Sequence, residues 1–187
     1  ENVENMIVAS ADLSNSDKTD GFLKKTHPFV NGDFSGAFFN AGVSELTMAC
    51  IMNGIALHGG IFTACGTFFA FSDYMKPAYR MSALMRLPVK YVWSHDAFRV
   101  GEDGPTHQPI EQLAMLRTTP NLVVLRPADI NEVIGSWDFV VNNKRPVALV
   151  LAKDEAHILA GTSGESVKYG AYIVKQESSQ LDAVLVS

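Results

Sequence analysis

The sequence predicts an α/β fold in which a mostly parallel sheet is covered by helices on both faces. Apolar strand patterns alternate with helical patterns along most of the chain, which is typical of parallel sheets built from strand–helix–strand units. The 187 residues are enough for one such domain with a buried core. A composition of 47% hydrophobic and 19% charged residues is typical of a globular protein rather than a disordered one.

Six short apolar runs predict the strands, at residues 6–9, 38–39, 61–67, 89–94, 122–125 and 147–152. Apolar residues near helical spacing predict helices over residues 45–57, 69–85, 110–116 and 130–142. Gly59 and Gly60 end the first of these helices. Turn-forming residues predict loops over 10–20 and 95–109, and residues 22–35 are expected to be mostly irregular.

Beyond Lys153 the pattern changes, and this change predicts a domain boundary. Residues 1–160 are expected to form one domain, and residues 161–187 a linker and the start of a C-terminal domain. Two further strands are predicted over 169–175 and 182–187. Because the chain begins with Glu1 and stops within an apolar run, we expect it to be a piece of a longer protein.

Charge and cysteine content restrict the partners and the compartment. The net charge of −5 disfavours nucleic acid and anionic membranes as partners, since both require a basic face. Polar residues and glycines interrupt the apolar run 51–71, so we expect no membrane span. Cys50 and Cys65 lie in apolar surroundings without CxxC spacing, which favours two buried, reduced thiols over a disulfide. No signal-peptide pattern opens the chain, and we expect a cytoplasmic protein.

The loop 95–109 follows a predicted strand, at the edge of the sheet where open α/β folds bind ligands. Its titratable residues are His95, Asp96, Glu102, Asp103 and His107. A solvated acidic loop, a general acid–base cluster and a metal site are all compatible with these residue types. The metal site is the weakest of the three, because the histidines lack short-range ligand spacing and no cysteine is near. We therefore predict no metal ligand in this chain.

Glu45 is a candidate proton-transfer group at the start of the first long helix. It lies between Val43 and Leu46 and opens a mostly apolar helix. A first-turn glutamate that is favoured by the helix dipole would give the same pattern. The functional interpretation is a partly desolvated carboxyl with a raised pKa, which shares a proton with a nitrogen atom of a ligand.

Three aromatic side chains form the third candidate feature. Phe68, Phe71 and Tyr74 are three residues apart, so a helix would place them nearly on one face. Packing in the core accounts for such a spacing. The alternative is an aromatic wall that binds a flat heterocycle.

All three candidate features lie in segments that resemble the transketolase family. Residues 101–109, Gly-Glu-Asp-Gly-Pro-Thr-His-Gln-Pro, are similar to the hallmark segment of transketolases. Residues 42–48 resemble the stretch around the glutamate that binds the cofactor in this family. Further matches follow the family's order, at residues 10–14, 67–74, 94–96 and 126–129. The resemblance covers nearly the whole chain and favours the functional interpretation of each feature.

The resemblance implies the central pyrimidine-binding (Pyr) module of a thiamine-diphosphate-dependent enzyme, with the thiamine-diphosphate-binding fold. In this family the cofactor binds between two subunits, which implies a homodimer. An N-terminal diphosphate-binding domain or subunit holds the diphosphate with Mg²⁺ or Ca²⁺, and the Pyr module holds the aminopyrimidine. A C-terminal domain completes the protein. The implied reaction moves a two-carbon ketol unit from a ketose (phosphate) to an aldose (phosphate), so sugar phosphates are the implied substrates.

The resemblance also implies which residues bind the cofactor. Glu45 would hydrogen-bond the ring nitrogen N1′ of the aminopyrimidine and promote its imino tautomer, which makes it a catalytic residue. Phe68, Phe71 and Tyr74 would pack around the same ring. Asp12 would lie near the thiazolium side of the cofactor.

Substrate contacts are implied for five residues. His107, also a catalytic residue, and Asp103 would contact sugar hydroxyls. His95 would contact the sugar or its phosphate, and Ser16 the phosphate end. Lys153 stands where the family usually has an arginine that grips phosphate. A lysine keeps the charge without the bidentate fork, and two acidic residues follow it, so this departure predicts a weakened phosphate site.

Two alternatives differ from a transketolase in reaction or in class. A deoxyxylulose-phosphate synthase is a related enzyme, but Glu102 and the Gln108-Pro109 ending favour transketolase. A non-catalytic or regulatory relative that acts as a binding module would be expected to lose Glu45 or His107, and both are present. Without the N-terminal domain, the chain alone is expected to bind the cofactor poorly and to show no turnover.

Overall fold

Six parallel strands form one sheet in the computed structural model, which describes residues 3–96, 98–154 and 156–186. The strand order is β2-β1-β3-β4-β6-β5, and every neighbouring pair is parallel. The strands are β1 (Met6–Ser10), β2 (Phe38–Asn40), β3 (Phe62–Phe68), β4 (Lys90–Asp96), β5 (Val123–Leu125) and β6 (Val147–Ala152). The six strands predicted up to residue 152 are confirmed, with ends shifted by at most two residues.

Within the described ranges, the α-helices are α1 (Ser14–Asp17), α2 (Asp20–Leu23), α3 (Glu45–His58), α4 (Ser72–Met85), α5 (Gln112–Arg117) and α6 (Ile130–Asn142). The predicted helix 130–142 matches α6, whose first turn is capped by Asp129, which accepts a hydrogen bond from the Glu132 amide. The longest helices have 14 residues, and in this described part of the chain none combines the length and apolarity that a bilayer crossing requires.

The sheet is covered on both faces, which explains its apolar strands and confirms the predicted fold class. On one face, α3 and α4 pack on the central strands around Trp93, whose side chain is fully buried. The Trp93 ring stacks on Tyr91 with centroids 5.4 Å apart and meets Tyr79 edge-on at 5.8 Å. On the opposite face, Phe22 and Leu23 from α2 pack against β1 and β3.

Only one side of α3 faces the core, although the whole helix is rich in apolar residues. Met48 and Met52 are fully buried, whereas Leu57 is 62% exposed. Cys50 lies on the outer side and is exposed, so the prediction of two buried thiols is wrong for this residue. The rotation of the helix places Cys50 away from the sheet, and local composition does not reveal that direction. Cys65 is buried in β3, and both thiols are free.

Three predicted segments contain short helical turns that were not predicted, and α5 begins at Gln112 rather than at residue 110. The predicted loop 10–20 contains α1 and the start of α2. In the predicted loop 95–109, β4 continues to Asp96 and 3-10 turns follow at Phe98–Asp103 and Pro105–His107. A 3-10 turn at Phe69–Phe71 precedes α4, which was expected to start at residue 69. Such single turns leave no periodic pattern in the sequence.

The two strands predicted near the C-terminal end are not formed by the residues that the structure describes. Gly164–Tyr169 is a 3-10 turn, and residues 170–186 contain no strand. Ser187, the last residue of the second predicted strand, lies outside the described residues. A strand requires a hydrogen-bonded neighbour, and the sheet offers this segment none.

Residues 159–164, which precede these segments, pack on α6. The Asp129 carboxylate accepts hydrogen bonds from the Leu159 amide at 3.0 Å and the Thr162 hydroxyl at 2.5 Å. Gly135 and Gly164 touch directly, since a Cβ atom on Gly135 would lie 2.1 Å from the Gly164 carbonyl oxygen. This segment therefore docks on the α/β domain. The domain boundary near residue 160 stays a prediction.

Lys90 is a buried lysine whose titration is expected to change the stability of the domain. Its Nζ donates hydrogen bonds to the carbonyl oxygens of Asn143 at 2.6 Å and Arg145 at 2.9 Å, just beyond α6. Burial lowers the pKa of Lys90 from 10.5 to about 8. Between these two values the unfolded chain binds a proton at Lys90 that the folded chain does not. The Lys90 contribution to the free energy of unfolding is therefore expected to rise from pH 8 to pH 10.5.

Urea denaturation of wild type and Lys90→Met across this pH range measures the effect. The methionine variant lacks the ionisable group, so wild type should gain stability relative to it as the pH rises. Lys76→Met, which removes an exposed lysine from α4, is the matched control and should follow wild type. A difference between wild type and Lys90→Met that is constant with pH would contradict the assignment.

Candidate active site

The loops at the carboxyl edge of the sheet bring together residues from distant parts of the sequence. Ser16 lies in α1 after β1, and Phe68 ends β3. His95 lies near the end of β4, and Lys153 follows β6 directly. The ends of parallel strands share one edge, which is where open α/β folds bind ligands. The fold thus builds one candidate site from four segments.

Stacked aromatic rings form one wall of this site. Phe68 lies against His95 with ring centroids 3.7 Å apart and against Phe71 at 5.8 Å. His107 meets Phe71 edge-on at 5.1 Å and Phe68 at 6.1 Å. Tyr74 extends the row, 6.0 Å from Phe71. The structure therefore brings the aromatic residues and both loop histidines together.

The expected single helical face for Phe68, Phe71 and Tyr74 is wrong. Phe68 belongs to β3, Phe71 ends a 3-10 turn, and Tyr74 lies in the first turn of α4. The rings stack because strand, turn and helix follow one another without a loop. Phe68 is only 6% exposed, Phe71 is half-buried, and Tyr74 is 61% exposed. The ring surface that a ligand can reach therefore belongs mainly to Phe71 and Tyr74.

Glu45 is a buried carboxylate at the first position of α3. The residue is 8% exposed, and it makes no hydrogen bond or ion pair with any other residue that the structure describes. The hydroxyl of Ser44 donates to the Ala41 carbonyl oxygen at 3.0 Å instead of capping the helix. A buried glutamate that lacks a hydrogen-bond partner among the described residues is suited to a hydrogen-bond donor on a ligand.

His95 is held in an unusual backbone conformation. Its φ angle is 61°, in the left-handed region that non-glycine residues rarely adopt. The residue is 7% exposed, and its Nδ1 lies 2.9 Å from the Ser94 hydroxyl. Burial, reinforced by the charge of Lys153, lowers the pKa of His95. At neutral pH the imidazole is therefore neutral and offers one donor and one acceptor.

Lys153 ties the loop after β4 to the end of β6. Its Nζ donates to the Val100 carbonyl oxygen at 2.8 Å and to the Glu102 carboxylate at 3.0 Å, and it lies 3.5 Å from the Asp103 carboxylate. The hydrogen bond with Glu102 raises the pKa of Lys153, so the side chain is charged but compensated by two carboxylates. Among the described residues, no group of three His, Cys, Asp or Glu side chains is arranged to hold a metal ion.

A cavity of about 310 Å³ opens beside this cluster. Its lining residues are Asn15, Ser16, Lys18, Ser94, His95, Ala152 and Lys153. Asn15, Lys18 and Ser94 are not among the predicted site residues, although Asn15 and Lys18 lie within two positions of the predicted Ser16. Asp12 is exposed with a φ angle of 66° and lies outside this lining. The structure thus groups three predicted substrate residues here and leaves Asp12 apart.

Buried Asp17 gives the α1 segment its shape. Its carboxylate accepts hydrogen bonds from the Ser10 hydroxyl at 2.7 Å, the Thr19 amide at 2.9 Å and the Thr19 hydroxyl at 2.7 Å. Gly66 leaves room for this turn, since a Cβ atom there would lie 2.6 Å from the Thr19 Cγ2. These contacts place Ser16 and Lys18 at the cavity. Burial raises the pKa of Asp17 despite these hydrogen bonds.

The fold and the site define an α/β module that carries a row of aromatic rings and a buried glutamate at the carboxyl edge of a parallel sheet. A family model described as "Transketolase, pyrimidine binding domain" matches residues 1–157. The transketolase of Bacillus subtilis (strain 168) is 48% identical over 183 residues, which cover 95% of this chain and 27% of that protein. The chain therefore belongs to the transketolase pyrimidine-binding domain family.

Solved structures agree with this assignment. A transketolase from Leishmania mexicana superimposes with a TM-score of 0.89 at 38% identity, covering 93% of this chain and 26% of that chain. A transketolase from Pichia stipitis, in complex with sedoheptulose 7-phosphate, gives a TM-score of 0.88 at 40% identity and covers 94% of this chain and 27% of that chain. The chain thus spans about a quarter of the length of these relatives.

Proposed function

We propose that this chain forms the pyrimidine-binding half of the thiamine diphosphate site in a transketolase. The observation that carries the proposal is the buried Glu45 carboxylate, which has no partner in the described part of the chain. Family membership and the aromatic wall support the same conclusion. The reaction we assign to the complete protein is the transfer of a two-carbon ketol unit from a ketose (phosphate) to an aldose (phosphate).

The residues at the carboxyl edge fit an aminopyrimidine ring. Glu45 would accept a hydrogen bond from the protonated ring nitrogen N1′, which supplies the partner that this buried residue lacks among the described side chains and backbone groups. Phe71 and Tyr74 would pack on the ring, because they expose the reachable part of the aromatic wall. Phe68 supports Phe71 from within the core. Asp12, from the neighbouring β1–α1 turn, would lie toward the thiazolium side.

Four polar residues of the site have a role in the proposed reaction. When bound, thiamine diphosphate supplies the carbanion chemistry of ketol transfer. Glu45 holds the proton at N1′. His107 has Nδ1 within 2.8 Å of the Thr106 hydroxyl, which leaves Nε2 for a sugar hydroxyl. Asp103 accepts from a second hydroxyl, and neutral His95 contacts the sugar from the cavity.

We assign the remaining parts of the site to other domains. An N-terminal diphosphate-binding domain or subunit would hold the diphosphate with Mg²⁺ or Ca²⁺, and a C-terminal domain would follow this module. The support is the length of the relatives, of which this chain spans about a quarter. The complete enzyme would be a homodimer, with the cofactor bound between the Pyr module of one subunit and the diphosphate-binding domain of the other.

Cofactor binding and ketol transfer, measured on the same full-length protein, test the proposal. Thiamine diphosphate with Mg²⁺ should quench tryptophan fluorescence, and sedoheptulose 7-phosphate with an aldose phosphate acceptor should give transferred product. The isolated chain should quench only when it is mixed with the N-terminal domain. Binding without transfer would instead support the non-catalytic binding module. Absence of both would overturn the proposal.

Binding of the substrate phosphate should depend more on Lys18 than on Lys153. Both lysines line the cavity, but two carboxylates compensate Lys153, and Lys18 makes no ion pair with a described residue. A hydrogen bond to a charged group contributes about 1.5–3 kcal/mol. Loss of such a bond to the phosphate corresponds to a decrease of roughly 10- to 100-fold in kcat/KM. Lys18→Met should lower kcat/KM for a phosphorylated ketose by that factor, and Lys153→Met by less. The check is the ratio of kcat/KM for a phosphorylated ketose to kcat/KM for a non-phosphorylated ketose, measured for both variants. Equal ratios in the two variants would contradict it.

A further inference from the structure

We infer that the ion pair between Asp96 and Arg126 is a positioning device that holds His95 in its site conformation. This inference rests on the proposed function, because it assigns importance to His95 as a substrate contact. Neither Asp96 nor Arg126 lines the cavity, and neither belongs to the aromatic wall. Their effect on the reaction must therefore pass through another residue.

A bulge in β4 lies directly beside the ion pair. Trp93 pairs with Val150 on β6, and Asp96 pairs with Ala152, so two residues of β4 face a single residue of β6 between these points. One of these two residues is His95, whose backbone is left-handed. Bulges of this kind redirect side chains near functional sites. Here the bulge accompanies the stacking of His95 on Phe68 at 3.7 Å.

The ion pair anchors the C-terminal end of this bulge. Arg126 follows β5, and β6 lies between β5 and β4 in the sheet, so the Arg126 side chain reaches across the end of β6. Its Nε donates to Asp96 Oδ2 at 2.5 Å. The Asp96 side chain is only 10% exposed, so Arg126 is the partner that offsets the cost of shielding this carboxylate from water.

A left-handed backbone at histidine persists only where the surrounding contacts impose it. On the N-terminal side of His95, the pairing of Trp93 with Val150 supplies that constraint. On the C-terminal side, the pairing of β4 with β6 resumes at Asp96, whose side chain is held by Arg126. If Arg126 is removed, the buried carboxylate must move toward water, and the bulge relaxes toward extended backbone. His95 then leaves Phe68 and the cavity.

Arg126→Met in the full-length protein tests this inference. We expect kcat/KM for the ketose to fall on the order of 100-fold, as for a contact group displaced by about 1 Å. The affinity for thiamine diphosphate should stay at the wild-type value, because Glu45 and Phe71 lie outside the bulge. A crystal structure of the variant should show His95 with a negative φ angle and without the stack on Phe68. Arg117→Met, which removes an exposed arginine from α5, should match wild type in all three measurements.

A second variant covers the case in which Arg126→Met fails to fold. Combining Asp96→Asn with Arg126→Met removes both charges, so no unpaired buried carboxylate remains, and the same loss of kcat/KM is expected. Wild-type kcat/KM in the folded variant, or an unchanged His95 conformation in its crystal structure, would overturn the inference. Equal losses of cofactor affinity and kcat/KM would also overturn it, since they indicate general damage. An inactive wild-type protein would instead contradict the proposed function.

Discussion

Glu45→Gln in the full-length protein is expected to lower kcat by roughly 10²- to 10⁴-fold, the usual contribution of a positioned proton-transfer group. Glutamine has nearly the same shape, so the packing of α3 against the sheet is preserved. An amide does not accept the proton that the carboxylate holds at N1′. Because Glu45 is buried without another partner in the described chain, no neighbouring side chain is placed to substitute for it. Glu45→Ala should show the same severe loss at ordinary cofactor concentrations, and neither substrate should restore activity.

Steady-state kinetics at saturating cofactor measure this effect. Glu111→Gln, which removes one negative charge outside the site, is the control. Glu111 precedes α5 and is exposed, and its side chain makes no hydrogen bond or ion pair with a described residue. The control should keep wild-type kcat. A Glu45→Gln enzyme with wild-type kcat would show that the carboxylate is structural. The cofactor site would then have to lie elsewhere.

Trp93→Ala should destabilise the domain by about 3–5 kcal/mol, the typical effect of deleting a large buried aromatic side chain. Trp93 is fully buried, and its ring contacts Tyr91, Tyr79 and Phe69. Its indole nitrogen also donates to the Met75 sulfur at 3.4 Å. The deletion leaves a cavity beneath the strand that carries His95. These rings are held by several elements, so the cavity should close only partly.

Urea denaturation followed by far-ultraviolet circular dichroism of the domain measures this change without relying on tryptophan emission. Trp137→Ala is the matched control, because Trp137 lies on α6 and is only half-buried. Its effect should be clearly smaller than that of Trp93→Ala. A destabilisation of less than about 1 kcal/mol for Trp93→Ala would mean that the core around this ring is loosely packed.

The order of strands and helices followed from local patterns, because periodicity and capping act within a few neighbouring residues. The helix at 130–142 and the strand at 147–152 were predicted with their observed bounds. An Asp129 cap and a continuous apolar run are local signals of this kind. Glu45, the aromatic residues and the histidine loop were singled out in the same way. The family resemblance of their segments then agreed with the independent comparisons.

The conformation and charge state of the site arise from contacts between distant residues. The left-handed backbone of His95 accompanies a bulge against β6, and the Arg126–Asp96 pair joins residues that are 30 positions apart. Lys153 is compensated by a loop more than 50 positions away, which no local pattern near Lys153 indicates. The same holds for the docking of residues 159–164 on α6 and for the segments 169–175 and 182–187, whose described residues form no strand although two strands were predicted there. A chain segment carries its own periodicity, but its partners are known only once the chain has folded.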